Sequence, residues 1–178
     1  MLEIGRVAHG WGVIAVVPLA RGTVLFGADD WADEQERASY VELSPEQVEQ
    51  LPADERAVFL RFAYNHERWL IRGTFHPELT RHLSNFLNHS CDPNAWYDGE
   101  DQIVTRRDVA AGEEVTLDYG TYSFSFDHEM TCCCGTARCR GRVQRDDWKT
   151  LARVYGYAFP RFMHEEIREL LEGTKSSR

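Results

Sequence analysis

Lysine is almost missing from this chain: of its 20 basic residues only Lys149 and Lys175 are lysines. Positive charge is short as well, with 29 acids leaving a net charge of −9. Too little cationic surface remains to neutralise a phosphate backbone, so direct nucleic-acid binding is not expected. An acidic chain suits a basic partner instead. No apolar run reaches bilayer-spanning length, and no membrane role is expected. The opening residues, MLEIGRVAHGWG, lack a basic segment followed by an apolar core, so no secretory signal is read there. The expected location is cytoplasmic, with an exported effector or a nuclear protein as alternatives. There is no Gly-rich strand-to-helix fingerprint of a doubly wound nucleotide-binding fold. Cysteine is scarce outside one place: four of five lie between Cys132 and Cys139, and the fifth is Cys91.

What remains is 178 residues with 43% hydrophobic content, enough for one domain and a sizeable core. Residues 11 to 26 hold two Val- and Ile-rich runs split by Pro18 and Arg21-Gly22, which read as two short strands. Residues 28 to 56 carry ten acids against two bases, a stretch suited to attracting a basic peptide. Ser44-Pro45-Glu46 opens a helix, with Ser as N-cap and Pro at the first helical position, and Pro52 stops it. Residues 53 to 64 place Val58, Phe59, Phe62 and Ala63 on one helical stripe. The pattern then becomes short and irregular, with strands at 102–107 and 114–119. Helices are expected at 146–156, with Trp148, Leu151, Val154 and Tyr155 on one face, and at 160–172. The last residues, 173–178, are expected to fray.

Three segments carry chemistry. His9-Gly10-Trp11-Gly12 allows either an ordinary turn or a close backbone approach to a ligand. Asn85 to Asn94 packs polar, turn-forming residues around Asn88-His89-Ser90-Cys91-Asp92-Pro93-Asn94, either a functional loop or an Asx-rich turn. The third runs from Gly112-Glu113-Glu114-Val115-Thr116-Leu117-Asp118-Tyr119-Gly120 to the Cys-x-Cys-x4-Cys set Cys132, Cys134 and Cys139. Three thiolates on a tight loop point to zinc, with a disulfide or free-thiol arrangement as the alternative. Tetrahedral zinc wants a fourth ligand. Cys133 has committed neighbours on both sides and adjacent side chains point apart, so Cys91 is the better candidate.

Together these motifs resemble the SET-domain protein lysine methyltransferases. Asn88 to Asn94 and Gly112 to Gly120 resemble the two central family motifs, with Val115 in place of Leu. Cys132 to Cys139 resembles the post-SET zinc loop, and His9 to Gly12 the opening Gly-x-Gly. The likeness spans about residues 5 to 141. No cysteine-rich segment precedes residue 9, so no pre-SET zinc module is expected. Residues 146–167 resemble the tail of short bacterial members.

The resemblance implies a mainly β fold of several small curled sheets around a knot-like crossing. It places a SET domain at 1–120 with a variable helical insert at 28–80, a post-SET zinc loop at 121–141 and a helical extension at 142–178. It also implies S-adenosylmethionine as cofactor, held by Gly10, Trp11, Gly12, Asn88, His89 and Tyr119. A structural Zn2+ on Cys91, Cys132, Cys134 and Cys139 is expected, and Tyr119 and Tyr97 as catalytic residues. Phe124 and Phe126 are expected over the lysine channel. The substrate is expected to be a protein with an accessible lysine in a basic segment, a histone-like protein being one candidate. Glu113 and Glu114 read as surface charges, Asp118 as structural, and Arg138, Arg140, Arg142 and Arg145 as a solvated face. A non-catalytic SET-like peptide-binding module is the alternative to an enzyme; a zinc-knuckle nucleic-acid binder is disfavoured by charge.

Overall fold

A computed structural model describes residues 1–8, 10–27, 30–127 and 130–173. His9 of the opening motif, Asp29 of the acidic stretch and the terminus beyond Gly173 lie outside the described residues. The elements in chain order are β1 (Leu2–Val7), β2 (Gly10–Ala15), β3 (Val24–Phe26), α1 (Glu34–Ser39), β4 (Tyr40–Leu43), α2 (Pro45–Gln50) and α3 (Ala53–Leu60). Next come β5 (Tyr64–Glu67), β6 (Leu70–Thr74), β7 (Asn88–His89), β8 (Ala95–Tyr97), β9 (Ile103–Thr105) and β10 (Glu114–Leu117). The chain finishes with β11 (Met130–Thr131), β12 (Arg142–Val143), α4 (Asp147–Tyr155) and α5 (His164–Gly173). Among the described residues no helix is long and apolar enough to cross a membrane.

Among the described residues the strands make four small sheets, in the orders β1-β2-β10-β7, β3-β9-β8, β4-β6-β5 and β11-β12. The first carries the site. Val13 and Ala15 alternate inward on β2, join Val115 and Leu117 of β10, and are almost wholly buried. The crossing expected from the sequence is there. β10 lies antiparallel to β2 and parallel to β7, with Thr116 opposite Asn88 and Leu117 opposite His89.

Two strand residues on β7 cannot hold such a crossing alone, and Asn94 supplies the rest. Its amide is 2% exposed. Its Nδ2 donates to the Glu114 carbonyl at 2.8 Å and to Glu113 Oε1 at 3.1 Å, and its Oδ1 accepts from the Thr116 N–H at 2.9 Å. The side chain thus completes the open side of β10 as another strand would. Asn94→Ala should leave two partly buried backbone groups without this partner and cost about 3 kcal/mol. For a chain of this size that is a fall in Tm of roughly 6–12 °C, read by calorimetry. A melt close to that of wild type would show that water replaces the amide.

The insert departs from its expected helical character. α1, α2 and α3 are present, but β4, β5 and β6 form a three-stranded sheet beside them. Sequences such as YNHE and LIRGT have no apolar alternation; the pairing of β6 with β4 on one side and β5 on the other, and the packing of Ile71 with Phe59, decide their state. α2 starts as expected, with the Ser44 hydroxyl and the Gln47 side chain making a reciprocal capping box. α3 ends at Leu60, so Phe62 and Ala63 do not lie on it. Within it Phe59 is fully buried whereas Val58 is 37% exposed. A neighbouring residue is about 100° round the helix, and here that turn carries Val58 off the core-facing side. The same correction applies in α4: Trp148, Leu151 and Tyr155 are buried, while Val154 faces out.

The C-terminal helices pack into the molecule. Their cluster of Trp148, Leu151, Phe159, Met163 and Ile167 takes in Trp96 of β8 and Phe124. α5 also reaches the insert through the Arg68–Glu166 ion pair at 2.7 Å.

Candidate active site and metal centre

Gly10, Trp11 and Gly12 on β2 meet Asn88 on β7 across the end of β10. Asn88 Nδ2 donates to the Trp11 carbonyl at 2.9 Å and to Glu114 Oε1 at 2.7 Å. A Cβ at Gly12 would stand 2.6 Å from that Glu114 oxygen and 2.8 Å from Asn88 Nδ2, so a larger residue would have to displace the side chains that make this hydrogen-bonded contact. The edge itself is open. Gly10 has φ +118° with nothing within 4 Å of a Cβ position, and Trp11 is half exposed with Arg6 over its ring. Glu113 and Glu114 are not the surface charges expected: the first holds Asn94 and Arg107, the second holds Asn88.

His89 turns inward. Its Nδ1 accepts the Tyr119 N–H at 3.2 Å and its Nε2 faces Cys91 Sγ at 3.2 Å. The first bond fixes the tautomer with the proton on Nε2. Burial, acting against the nearby Asp118, lowers its pKa to about 4 and keeps the ring neutral. Of this residue, the backbone is what remains toward the open edge.

Tyr119 follows β10 at the start of a 3-10 turn, Tyr119–Thr121, capped by Asp118. Its hydroxyl donates to the Leu87 carbonyl at 2.8 Å, and its ring lies against His89 and Tyr122. Burial raises its pKa to about 12. Beyond it opens a cavity of about 430 Å³. Tyr97, Tyr119, Tyr122, Leu87, Ile103 and Leu117 form one part of the lining, so both expected catalytic tyrosines share one space. Burial also pushes the Tyr97 and Tyr122 phenols above their ordinary range. The acids lining the cavity, Asp30, Glu67 and Asp101, come from the insert and from the β8–β9 turn.

Trp31 and Tyr64 of the insert and Phe162 of the tail complete the wall, and no spacing in the chain signals them. Phe124 and Phe126 are not over the channel. Phe126 is packed with Phe59 and Ile71, and Phe124 lies between Trp69 and Trp148. Part of the acidic stretch is also used internally: Glu36 is fully buried and accepts the backbone N–H groups of Arg81 and His82.

The four expected ligand sulfurs, those of Cys91, Cys132, Cys134 and Cys139, lie within 4.8 Å of one another. Cys132 is 3.6 Å from Cys91 and from Cys139. Four thiolates at a zinc–sulfur distance of about 2.3 Å stand about 3.8 Å apart in a tetrahedron, whereas a disulfide needs about 2.05 Å. The donor set fits zinc. Cys133 is exposed and outside the cluster. The Arg140 N–H at 3.3 Å and the His89 Nε2 proton point at Cys91 Sγ, outer contacts of the kind that hold a metal thiolate. Arg140 itself is not part of a solvated face. Its guanidinium grips Asp118 and Asp147.

Small sheets around a parallel crossing, an open glycine edge, a tyrosine-lined cavity and a cluster of four cysteines define a SET-type domain. The family comparison agrees, with the SET domain matching residues 10–120, and the chain belongs to that family. Among its relatives are the histone-lysine N-methyltransferase ATX2 of Arabidopsis thaliana, 41% identical over 71 residues, and set-2 of Caenorhabditis elegans, 28% identical over 145. The first alignment covers 36% of this chain and 6% of the relative, the second 75% and 8%. A probable histone-lysine N-methyltransferase, set-23 of Caenorhabditis briggsae, is 33% identical over 76 residues, covering 36% of this chain and 30% of the relative. The chain thus spans a small part of the curated relatives it matches.

Proposed function

We propose that this chain is an S-adenosylmethionine-dependent protein lysine N-methyltransferase. The observation that carries the reading is Tyr119, which stands where the Asn88–Leu87 segment beside the open glycine edge meets the aromatic cavity. Gly10, Trp11, Gly12 and Asn88 would hold the cofactor on that edge, with the His89 backbone beside them. When bound, the cofactor supplies an electrophilic methyl group. The cavity accepts the lysine chain and strips its ammonium of water, which lowers its pKa from about 10.4 toward neutrality. Tyr119 and the Leu87 carbonyl then orient the amine, and positioning supplies most of the rate.

The substrate is a protein with its lysine in a basic segment. Asp30, Glu67 and Asp101 outnumber Arg61 in the cavity lining and favour cationic neighbours, and the relatives' names make a histone-like protein the first to try. The purified chain should transfer labelled methyl groups to lysines of a histone mixture or cell lysate, located by mass spectrometry. Absence of label in both, with cofactor binding demonstrated, would favour a peptide-binding module.

Tyr97 should set the product. Leu117, two residues before Tyr119, brings no hydroxyl to the cavity, and of the tyrosines that line it beside Tyr119, which are Tyr64, Tyr97 and Tyr122, we assign this role to Tyr97. Wild type should yield mono- or dimethyl-lysine. Tyr97→Phe should raise the methyl count by at least one on the same peptide. Trimethyl product from wild type would remove Tyr97 from this role.

A further inference from the structure

Asp118 lies at zero exposure one residue before Tyr119. Its Oδ1 accepts the Gly120 N–H at 3.0 Å, which caps the turn that Tyr119 begins. A buried carboxylate needs a partner, and one side chain provides it. Arg140 donates from Nη2 to Oδ1 at 2.6 Å and from Nη1 to Oδ2 at 2.7 Å, a fork on both oxygens. Its third donor, Nε, reaches Asp147 Oδ2 at 3.0 Å at the head of α4. Its backbone N–H meets Cys91 Sγ, and its chain neighbour is Cys139 of the sulfur cluster. One residue therefore ties together the tyrosine turn, the cysteine loop and the first tail helix.

We infer that Arg140 is a positioning residue, which transmits the folding of the metal loop and the docking of α4 to the placement of the Tyr119 hydroxyl. This inference rests on the methyltransferase reading. Lysine at 140 keeps the charge but cannot fork onto two oxygens while holding a third group. Loss of the fork frees Asp118 to rotate, and the Gly120 cap and the Tyr119 ring move with it. The cofactor edge is built on Asn88 and Glu114 and does not depend on the fork.

The test uses Arg140→Lys in the full chain, with Tyr119 labelled as 3-fluorotyrosine for a second readout. The variant should keep its zinc, bind S-adenosylmethionine within threefold of wild type and keep the peptide KM within threefold. Its kcat should fall at least tenfold. Removal of zinc should shift the fluorine resonance of Tyr119 in wild type, and that response should be lost in Arg140→Lys. If Arg140→Lys sheds its metal, Asp147→Asn decides, since it weakens the grip without touching the cluster; it should lower kcat about threefold at full zinc. A wild-type kcat in the deciding variant, or a Tyr119 resonance that answers to zinc equally with and without the fork, overturns the inference. If wild type transfers no methyl group at all, the methyltransferase reading fails, and the fluorine response alone still decides whether Arg140 couples the loop to Tyr119.

Discussion

Tyr119→Phe should lower methyl transfer at least 100-fold while leaving the fold, the zinc and the cofactor affinity nearly unchanged. The substitution deletes one oxygen. In the folded chain that hydroxyl donates to the Leu87 carbonyl, so its loss costs about 1 kcal/mol of stability, within reach of a normal melt. A 100-fold loss of rate corresponds to about 2.7 kcal/mol of transition-state stabilisation, more than the structural cost and of separate origin. The pH profile separates the possible roles. Burial lifts the Tyr119 pKa to about 12. A raised phenol pKa favours the neutral form, so the hydroxyl stays protonated and donating from pH 6 to 10. The rising limb of the rate over that range then belongs to the substrate amine, which reacts only after losing its proton. Tyr119→Phe should therefore drop the whole curve without moving its midpoint. A midpoint shift above about half a unit would make Tyr119 a proton carrier, and wild-type turnover would make it a packing residue.

The parts of this site that the sequence disclosed are those in which neighbours in the chain are also neighbours in space. Asn88 to Asn94 and Gly112 to Tyr119 each fold as one local unit, and the polar crowding that marks them also builds the crossing: Asn94 is the clearest case, a loop residue whose amide serves as a missing strand. Cys91 was legible for a different reason. Tetrahedral zinc needs a fourth ligand, and the chain has few cysteines to choose from. Where contacts are remote and carry no fixed residue type, the pattern failed. Phe126 reads as a channel aromatic from its place after Tyr119, yet it closes the insert's core 67 residues away from Phe59. Trp31 and Phe162 reach the cavity from an acidic stretch and a tail helix that look like ordinary surface elements. Arg140 was hidden by its company, one of four arginines in a short run; the carboxylates of the buried Asp118 and of Asp147 opposite distinguish it. Charge in a sequence shows that a residue needs a partner or water, and not which of the two it finds.

Cys91→Ser should lose most of the zinc, and Cys133→Ser almost none. The two residues cannot be separated by composition, and in sequence Cys133 is much the nearer to the other ligands. The structure separates them by direction: Cys133 is exposed, while Cys91 is buried with its sulfur 3.6 Å from that of Cys132. Hydroxyl is a poor substitute for thiolate at zinc, and a three-thiolate site would also open a position to water. Structural sites of this kind bind with about 10 kcal/mol or more, energy that appears as folding energy of the segment they close. Here that segment joins β7 to the loop of residues 132–139, so the loss should spread in a defined pattern. Hydrogen exchange after chelation should accelerate in residues 130–145, where the sheet has only the two-residue strands β11 and β12 to hold it. β1, β2 and β10, with their own apolar core, should stay protected. Methyl transfer should vanish on chelation although the metal touches no reacting atom, since four protein thiolates leave it no open position for water. Full zinc in Cys91→Ser, or a major loss in Cys133→Ser, would put the fourth ligand on the other cysteine. Uniform exchange across the sheet and the loop would mean that the metal holds the whole domain and not the cysteine loop alone.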